Sequence, residues 1–486
     1  MPDPRLTLDA ETMRTMGYRT VDALVEMLCD ESVPALRRAT PAEMAARVAP
    51  EAPAAGRDFD AILGDLRETV LPYMSRLDHP GYFAFIPACG TWPGALGDLI
   101  ASALNIYAGS WMESAGPSRL ELVVMDWFKD WIGYPSDAAG LLLSGGSAAN
   151  LTALACAREA QPPIRRGREV LYVCDQAHSS VGRAARVLGL RPAQVRVVAS
   201  DARHGMRLDA LAAAIEADVR AGRRPLAVVA SAGSTSTGAV DDLPGIAALC
   251  REHDAWLHVD GAYGAFAALT DRGRAALRGL DLADSVTLDP HKWLYQPFEC
   301  GGLLVRDGAL LRRAFEVVPD YLRDAAVRDA EVNFCDLGLQ LSRGCRALKV
   351  WCSLQFFGLD AFRAAIDRCL DLAAGAERHV RQHPELELLS PAQLGIVCFR
   401  RRGFPGDDED EVAERNAKLV SAFAATGEGL VSSTRLRGRY AVRLCVMNHT
   451  STARNVTRVL DWFAEAPLPA CARRAEDPAP RAALAA

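Results

Sequence analysis

Short apolar runs alternate with amphipathic stretches through the middle of this chain. Residues 141–143, 170–174, 195–199, 226–231, 256–260 and 285–288 are mostly apolar and too short to be buried helices. Between them, 208–221 and 243–254 carry apolar residues at helical spacing. This alternation predicts an α/β fold, a mainly parallel sheet covered by helices on both faces. Residues 300–305 read as one more strand. Ahead of the sheet, 12–30 and 59–71 read as helices, joined through a Pro/Ala-rich loop around 41–53. Past residue 347 the pattern is helical to 381. It then mixes strand-like alternation at 395–400 and 440–446 with a helix at 411–425. The chain therefore divides into an N-terminal helical segment (1–91), a large domain (92–366) and a small α+β domain (367–486). The Ala-, Pro- and Arg-rich tail is expected to fray.

Composition narrows the function. The 486 residues carry 55 Lys+Arg against 61 Asp+Glu, a net charge of −6, whereas a nucleic-acid binder would be basic. The longest uncharged stretches, 79–97 and 138–157, are broken by Pro, Gly, Ser and Asn, so no membrane span is expected. The N-terminus lacks a basic region followed by an apolar run. Thirteen cysteines without a CxxC pair suit free thiols in a reducing compartment, and a cytoplasmic location is expected.

Lysine is scarce: Lys129, Lys292, Lys349 and Lys418 are the chain's four. Arginine cannot replace lysine where a neutral amine must attack a carbonyl, so any such chemistry has four candidates. None follows glycine, which excludes a phosphate-binding P-loop.

Four segments place chemistry at strand ends, where ligands gather in open α/β sheets. SVTLDPHKW delivers His291 and Lys292 after a strand, and a lysine there can form a Schiff base with an aldehyde. WLHVD ends in Asp260, followed by small residues through Ala262, and a carboxylate there can keep a pyridine nitrogen protonated. SGGSAAN puts Gly146 and Ser147 at a helix start, where free amides bind phosphate. DQAHSS places His178 after a strand, where an imidazole can stack on a ring. A Gly/Ser/Thr turn at 233–238 adds donors. Taken singly, each has a plainer reading: a surface lysine, a strand-end acid, a helix cap. Together they supply every part that pyridoxal 5'-phosphate needs.

In order and spacing, DPHKW, HVDGAYG, DQAHSS and GGSAAN resemble the group II pyridoxal-phosphate-dependent decarboxylases, the family of the aromatic-L-amino-acid decarboxylases. HPGYFAFIP, GSW and RALKVW extend the match over about residues 5–465. The resemblance implies a fold-type I enzyme whose large domain binds the cofactor. It also implies a homodimer with active sites at the interface. It makes Lys292, His178 and Asp260 the catalytic set. Lys292 is the Schiff-base lysine, Asp260 pairs with the ring nitrogen, and Ala262 and His178 lie on opposite ring faces. Gly146, Ser147 and His291 hold the phosphate, and Thr235 lies near the cofactor hydroxyl. Asp289 stands where some members have Asn near the phosphate; an anion there must be protonated or turned away, so it is left out of the site.

The implied reaction removes CO2 from an L-amino acid and returns a proton to Cα. For the substrate, the resemblance assigns Phe85, Ile86 and Pro87 to the side-chain pocket and Tyr107 to the partner's site. No Lys or Arg occurs from 79 to 111, so an aromatic or apolar side chain is expected over an acidic one. Phe334 falls where aromatic decarboxylases carry a proton-donating Tyr. Phenylalanine has no proton to give, and in plant relatives it accompanies an O2-dependent conversion to an aldehyde, which is the alternative outcome. No metal is expected: His379 and His383 lack the glutamate a zinc helix uses. A serine nucleophile at Ser147 misses the elbow pattern by its last glycine.

Overall fold

The structure is a computed structural model that describes residues 6–86, 89–161, 167–317 and 331–471. Pro87 lies outside them. Seven strands form the large sheet, in the spatial order Ala139–Leu143, Gly301–Val305, Ser285–Leu288, Trp256–Asp260, Arg224–Ser231, Glu169–Cys174 and Val195–Val198. The last five run parallel, and Gly301–Val305 is antiparallel to both its neighbours. All seven predicted runs are present.

Strand alternation feeds two separate cores. Val170, Tyr172, Val228 and Ala230 point to one face with Leu257 and Val259. Leu171, Val173, Ala227 and Val229 point to the other. There they meet Ala149, Ala153, Leu154 and Ala157 of the helix Gly146–Glu159. A sheet apolar on both faces must be covered on both, and this is what the near-continuous apolar runs encode. Trp256 belongs to the second face. By the two-residue period, His258 and Asp260 share it.

A second sheet has the order Tyr82–Phe83, Leu430–Leu436, Arg439–Cys445, Ile396–Arg401 and Leu386–Gln393. Its first strand comes from the segment ahead of the large sheet and pairs in parallel with Leu430 and Val431. Phe399, Phe423 and Phe463 meet edge-on or tilted beneath it, each fully buried. Burial of such side chains stabilises by about 1.5–3 kcal/mol each.

Two expectations change. The segment around 41–53 is not all loop: Pro41–Arg47 is helical. Thr40 and Glu43 form a reciprocal capping box, and Pro41 sits in the first turn, where its missing N–H costs nothing. The helix read at 59–71 is α-helical over Phe59–Asp65 and continues as a π-helical turn, Leu66–Val70.

Candidate active site

The parallel strands end on one side of a cavity of about 310 Å3. Gly146, Ser147, His178, Thr235, Asp260, Ala262, His291 and Lys292 all line it. The sequence placed these eight on five different loops, and the fold brings them to one place.

The other lysines are committed elsewhere. Lys129 donates to the Ser136 and Ala138 carbonyls. Lys349 pairs with Asp98 at 2.8 Å and Lys418 with Glu414 at 2.6 Å. Lys292 sits on the short helix Pro290–Trp293, directly after the strand Ser285–Leu288. Its Nζ lies 3.1 Å from Asp289 Oδ2.

That contact explains how an acid is tolerated at 289. Asp289 is buried, and its Oδ2 also accepts the Gly146 N–H at 3.1 Å. The carboxylate is turned toward a cation and an amide. His291 Nε2 stands 3.5 Å from the same oxygen, while its Nδ1 accepts the Cys300 N–H at 3.0 Å. The neutral ring therefore carries its proton on Nε2, on the Asp289 side. Burial lowers the His291 pKa and keeps the ring neutral.

His178 has two roles at once. It is the N-cap of the helix Ser179–Val187, its Nδ1 accepting the Ser180 N–H at 3.3 Å, and it lines the cavity. Burial lowers its pKa as well. Asp260 ends its strand with Oδ1 accepting the Ala262 N–H at 3.2 Å and Oδ2 accepting Asn150 Nδ2 at 2.9 Å.

The donor set suits a phosphorylated pyridine aldehyde. It offers a helix start with a Gly-Gly turn, an Nε2–H imidazole, a primary amine and a carboxylate. A Cβ on Gly146 would lie 2.9 Å from Ala262 Cβ and 3.1 Å from Asp289 Oδ2, so a side chain there would fill the cradle.

Of the substrate candidates, Phe85, Ile86, Tyr107 and Phe334 do not line this cavity within the chain. Phe85 is 65% exposed at a φ of 55°, and Ile86 is half-buried beside it. Arg443 donates to the Phe85 carbonyl and, at 2.6 Å, to the Thr235 carbonyl, tying this loop to the cavity wall. Tyr107 donates to the Leu341 carbonyl at 3.1 Å. Phe334 is fully buried and belongs to the same apolar cluster as Leu141, Leu143 and Leu337, with the Arg343 guanidinium 5.0 Å from its ring centroid.

Sequence reasoning missed Asn150 and Ser180, which line the cavity, and His258 behind it. The signal was present: His258 lies two residues before Asp260 on a strand, and Asn150 lies one turn into the GGSAAN helix.

The sequence profile of the pyridoxal-dependent decarboxylase conserved domain matches residues 41–402. An aromatic-L-amino-acid decarboxylase of Bacillus atrophaeus is 38% identical over 94% of this chain and 95% of its own. The chain belongs to the pyridoxal-dependent decarboxylase family. Its fold superimposes on Oryza sativa TDC, solved with PLP and tryptamine, at a TM-score of 0.89 and 29% identity, covering 95% of this chain and 98% of that one. Rhodiola rosea 4-hydroxyphenylacetaldehyde synthase follows at 0.87 and 25%, covering 94% of this chain and 98% of that one. This decarboxylase therefore uses pyridoxal phosphate, and the family holds both amine- and aldehyde-forming members. Among the described residues no helix is long and apolar enough to cross a membrane.

Proposed function

We propose that this decarboxylase converts an aromatic L-amino acid to its amine and CO2, in the cavity that Lys292 enters. The observation that carries the reading is that Lys292 alone of the four lysines lines a cavity shared with Asp260, His178 and the Gly146 turn. Bound pyridoxal phosphate supplies an aldehyde and a ring that accepts the electrons of the broken bond.

The residues would divide the work as follows. Lys292 holds the cofactor and yields it to the substrate amine. Asp260 keeps a proton at the ring nitrogen. Ala262 and His178 bracket the ring. Gly146, Ser147 and His291 donate to the phosphate, and Thr235 bonds near the cofactor hydroxyl. Phe85, Ile86 and Pro87 would form the side-chain pocket. Support for an aromatic substrate comes from the absence of Lys and Arg between 79 and 111, and from the names of the relatives.

A homodimer that completes each site is part of the proposal. Its support is a set of large apolar side chains that one chain leaves uncovered, among them Leu104, Met112, Phe298 and Phe356, each more than 60% exposed. Tyr107 would reach the partner's cavity. The division at 1–91, 92–366 and 367–486 and a cytoplasmic location complete the reading, the latter supported by thirteen free thiols.

The second reading, oxidative conversion to an aldehyde with ammonia and peroxide, rests on Phe334 in place of a proton donor. One experiment separates the two. Cofactor-loaded protein is incubated with Trp, Phe, Tyr and their hydroxylated forms, and CO2, amine, aldehyde and peroxide are quantified. Amine equal to CO2 is expected. Aldehyde and peroxide equal to CO2 would replace the first reading with the second.

A further inference from the structure

Polar atoms of the cavity wall and of the layer behind it form a train of hydrogen bonds whose direction follows from chemistry. Asp260, as a carboxylate, can only accept. Asn150 therefore presents Nδ2 to it, because the flipped amide would set a carbonyl oxygen against a carboxylate. Asn150 Oδ1 must then accept, and it faces Thr287 Oγ1 at 2.8 Å and His258 Nε2 at 2.9 Å. His258 thus carries its proton on Nε2. Its Nδ1 accepts the Ser285 hydroxyl at 2.8 Å, and Ser285 Oγ accepts Trp256 Nε1–H at 2.8 Å.

Asn150, His258, Ser285 and Thr287 are at most 1% exposed. From Trp256 onward each donor points toward Asp260, so every bond polarises the next in the same sense. Desolvation pushes the His258 pKa down to about 4, which leaves the ring a neutral donor at physiological pH. A second branch leaves Asn150 Nδ2 for Ser180 Oγ at 2.9 Å. The Ser180 hydroxyl and N–H both point at His178 Nδ1, at 2.8 and 3.3 Å. The proton of neutral His178 is therefore on Nε2.

Sheet register builds this arrangement. His258 pairs with Ser285 and Asp260 with Thr287 across adjacent parallel strands. All four side chains lie on the face that the Gly146–Glu159 helix covers with Asn150.

We propose that Asn150 is a positioning residue for this decarboxylase. Its amide, fixed by His258, holds Asp260 where it keeps the cofactor ring nitrogen protonated, and through Ser180 it fixes His178 as an Nε2–H donor. The inference rests on the cofactor reading of the cavity. The charged groups that face His178 are Asp260, Lys292, Asp289 and Arg183, and the one that faces His258 is Asp260.

The test compares wild type with Asn150→Ala, His258→Leu and His258→Gln, each loaded with pyridoxal phosphate. Two quantities are read: the cofactor dissociation constant and the pH midpoint of the bound cofactor's absorbance change. Asn150→Ala is expected to bind at least about tenfold more weakly, the scale of a lost charge-assisted hydrogen bond. Its midpoint is expected to rise by about one unit or more, because a ring that loses its positive charge no longer opposes protonation at the Lys292 linkage. His258→Leu shifts the midpoint in the same direction by less. His258→Gln keeps a donor near the Nε2 position and returns toward wild type.

Wild-type affinity and midpoint in folded Asn150→Ala would overturn the proposal. Should that variant not fold, the histidine pair decides, and equal shifts in Leu and Gln reduce the train to packing. Borohydride reduction and peptide mapping of the wild type stand apart from this: an unlabelled Lys292 removes the cofactor reading itself.

Discussion

Arg443 ties the loop that carries Phe85 to Thr235, which lines the same cavity as the strand end that carries Asp260, yet the two regions are built differently. Behind Asp260, Asn150, His258, Ser285 and Thr287 are buried and bonded to one another. Around Phe85 the polar ties are to backbone, and the phenyl ring is left largely in solvent. A buried polar group must find its partner within the fold or cost about 1–3 kcal/mol. An exposed aromatic can wait for a ligand or a second chain. The difference separates a buried polar site that one chain preorganises from an exposed loop that, on the proposed reading, becomes a substrate wall when a second chain closes it.

The largest effect should come from the preorganised side. Lys292→Ala is expected to cut decarboxylation by about 10^3-fold or more and to abolish borohydride labelling of the peptide that holds position 292. Retained labelling at another lysine would break the assignment. The unfinished side is probed by mixing. Lys292→Ala and Tyr107→Ala chains, each impaired alone, should recover about a quarter of wild-type activity after dissociation and reassociation. Half the dimers are then mixed, each with one intact site. No recovery would place Tyr107 outside the partner's cavity.

The same contrast explains what could be read from the sequence. Lys292, Asp260 and the Gly146 turn were legible because each follows an apolar strand, and strand ends converge in a parallel sheet whatever the loop lengths. His258 was overlooked as part of a strand, although the two-residue period puts it on the face of Asp260. Asn150 required knowing which way the Gly146–Glu159 helix turns over the sheet, which no local pattern states. The capping box at Thr40 is hidden by a Pro/Ala-rich composition that reads as loop, although Pro41 is a first-turn residue. The reading of Phe334 rests on its spacing from 346–349, whereas the apolar cluster that buries it includes strands nearly two hundred residues earlier.

An intermediate effect should appear as acid lability. His258 in the folded chain has a pKa near 4, against 6.5 for a free imidazole. Between those values the unfolded chain binds more protons, so stability falls as pH falls through this window, by a few kcal/mol in full. His178 and His291, lowered by burial, act in the same sense. Asp241, raised by burial to about 6 from 3.8, acts in the opposite sense: its contribution is present at low pH and is lost as pH rises. Comparing wild type with His258→Gln isolates the one term. Thermal midpoints measured from pH 7 to 4 should fall more steeply in wild type. Parallel slopes would mean that His258 is not titrating against burial.

The smallest effect on chemistry is expected at Phe334. Within its own chain the ring is buried in the cluster that holds Leu141, Leu143 and Leu337 and lies against Arg343, which is itself paired with buried Glu121 at 2.6 Å. Phe334→Tyr would push a hydroxyl into that apolar cluster, and without a new partner the cost is about 1–3 kcal/mol. If amine is the wild-type product, there is no aldehyde output for a tyrosine to suppress, so the product ratio should stay fixed while the denaturation midpoint drops. A substitution that left stability alone but turned an aldehyde-forming enzyme toward amine would say the opposite on both counts: that position 334 leaves its cluster during turnover and reaches a reacting carbon. The two measurements together therefore decide whether this residue belongs to the packed side of the molecule or to the side that the proposed second chain would complete.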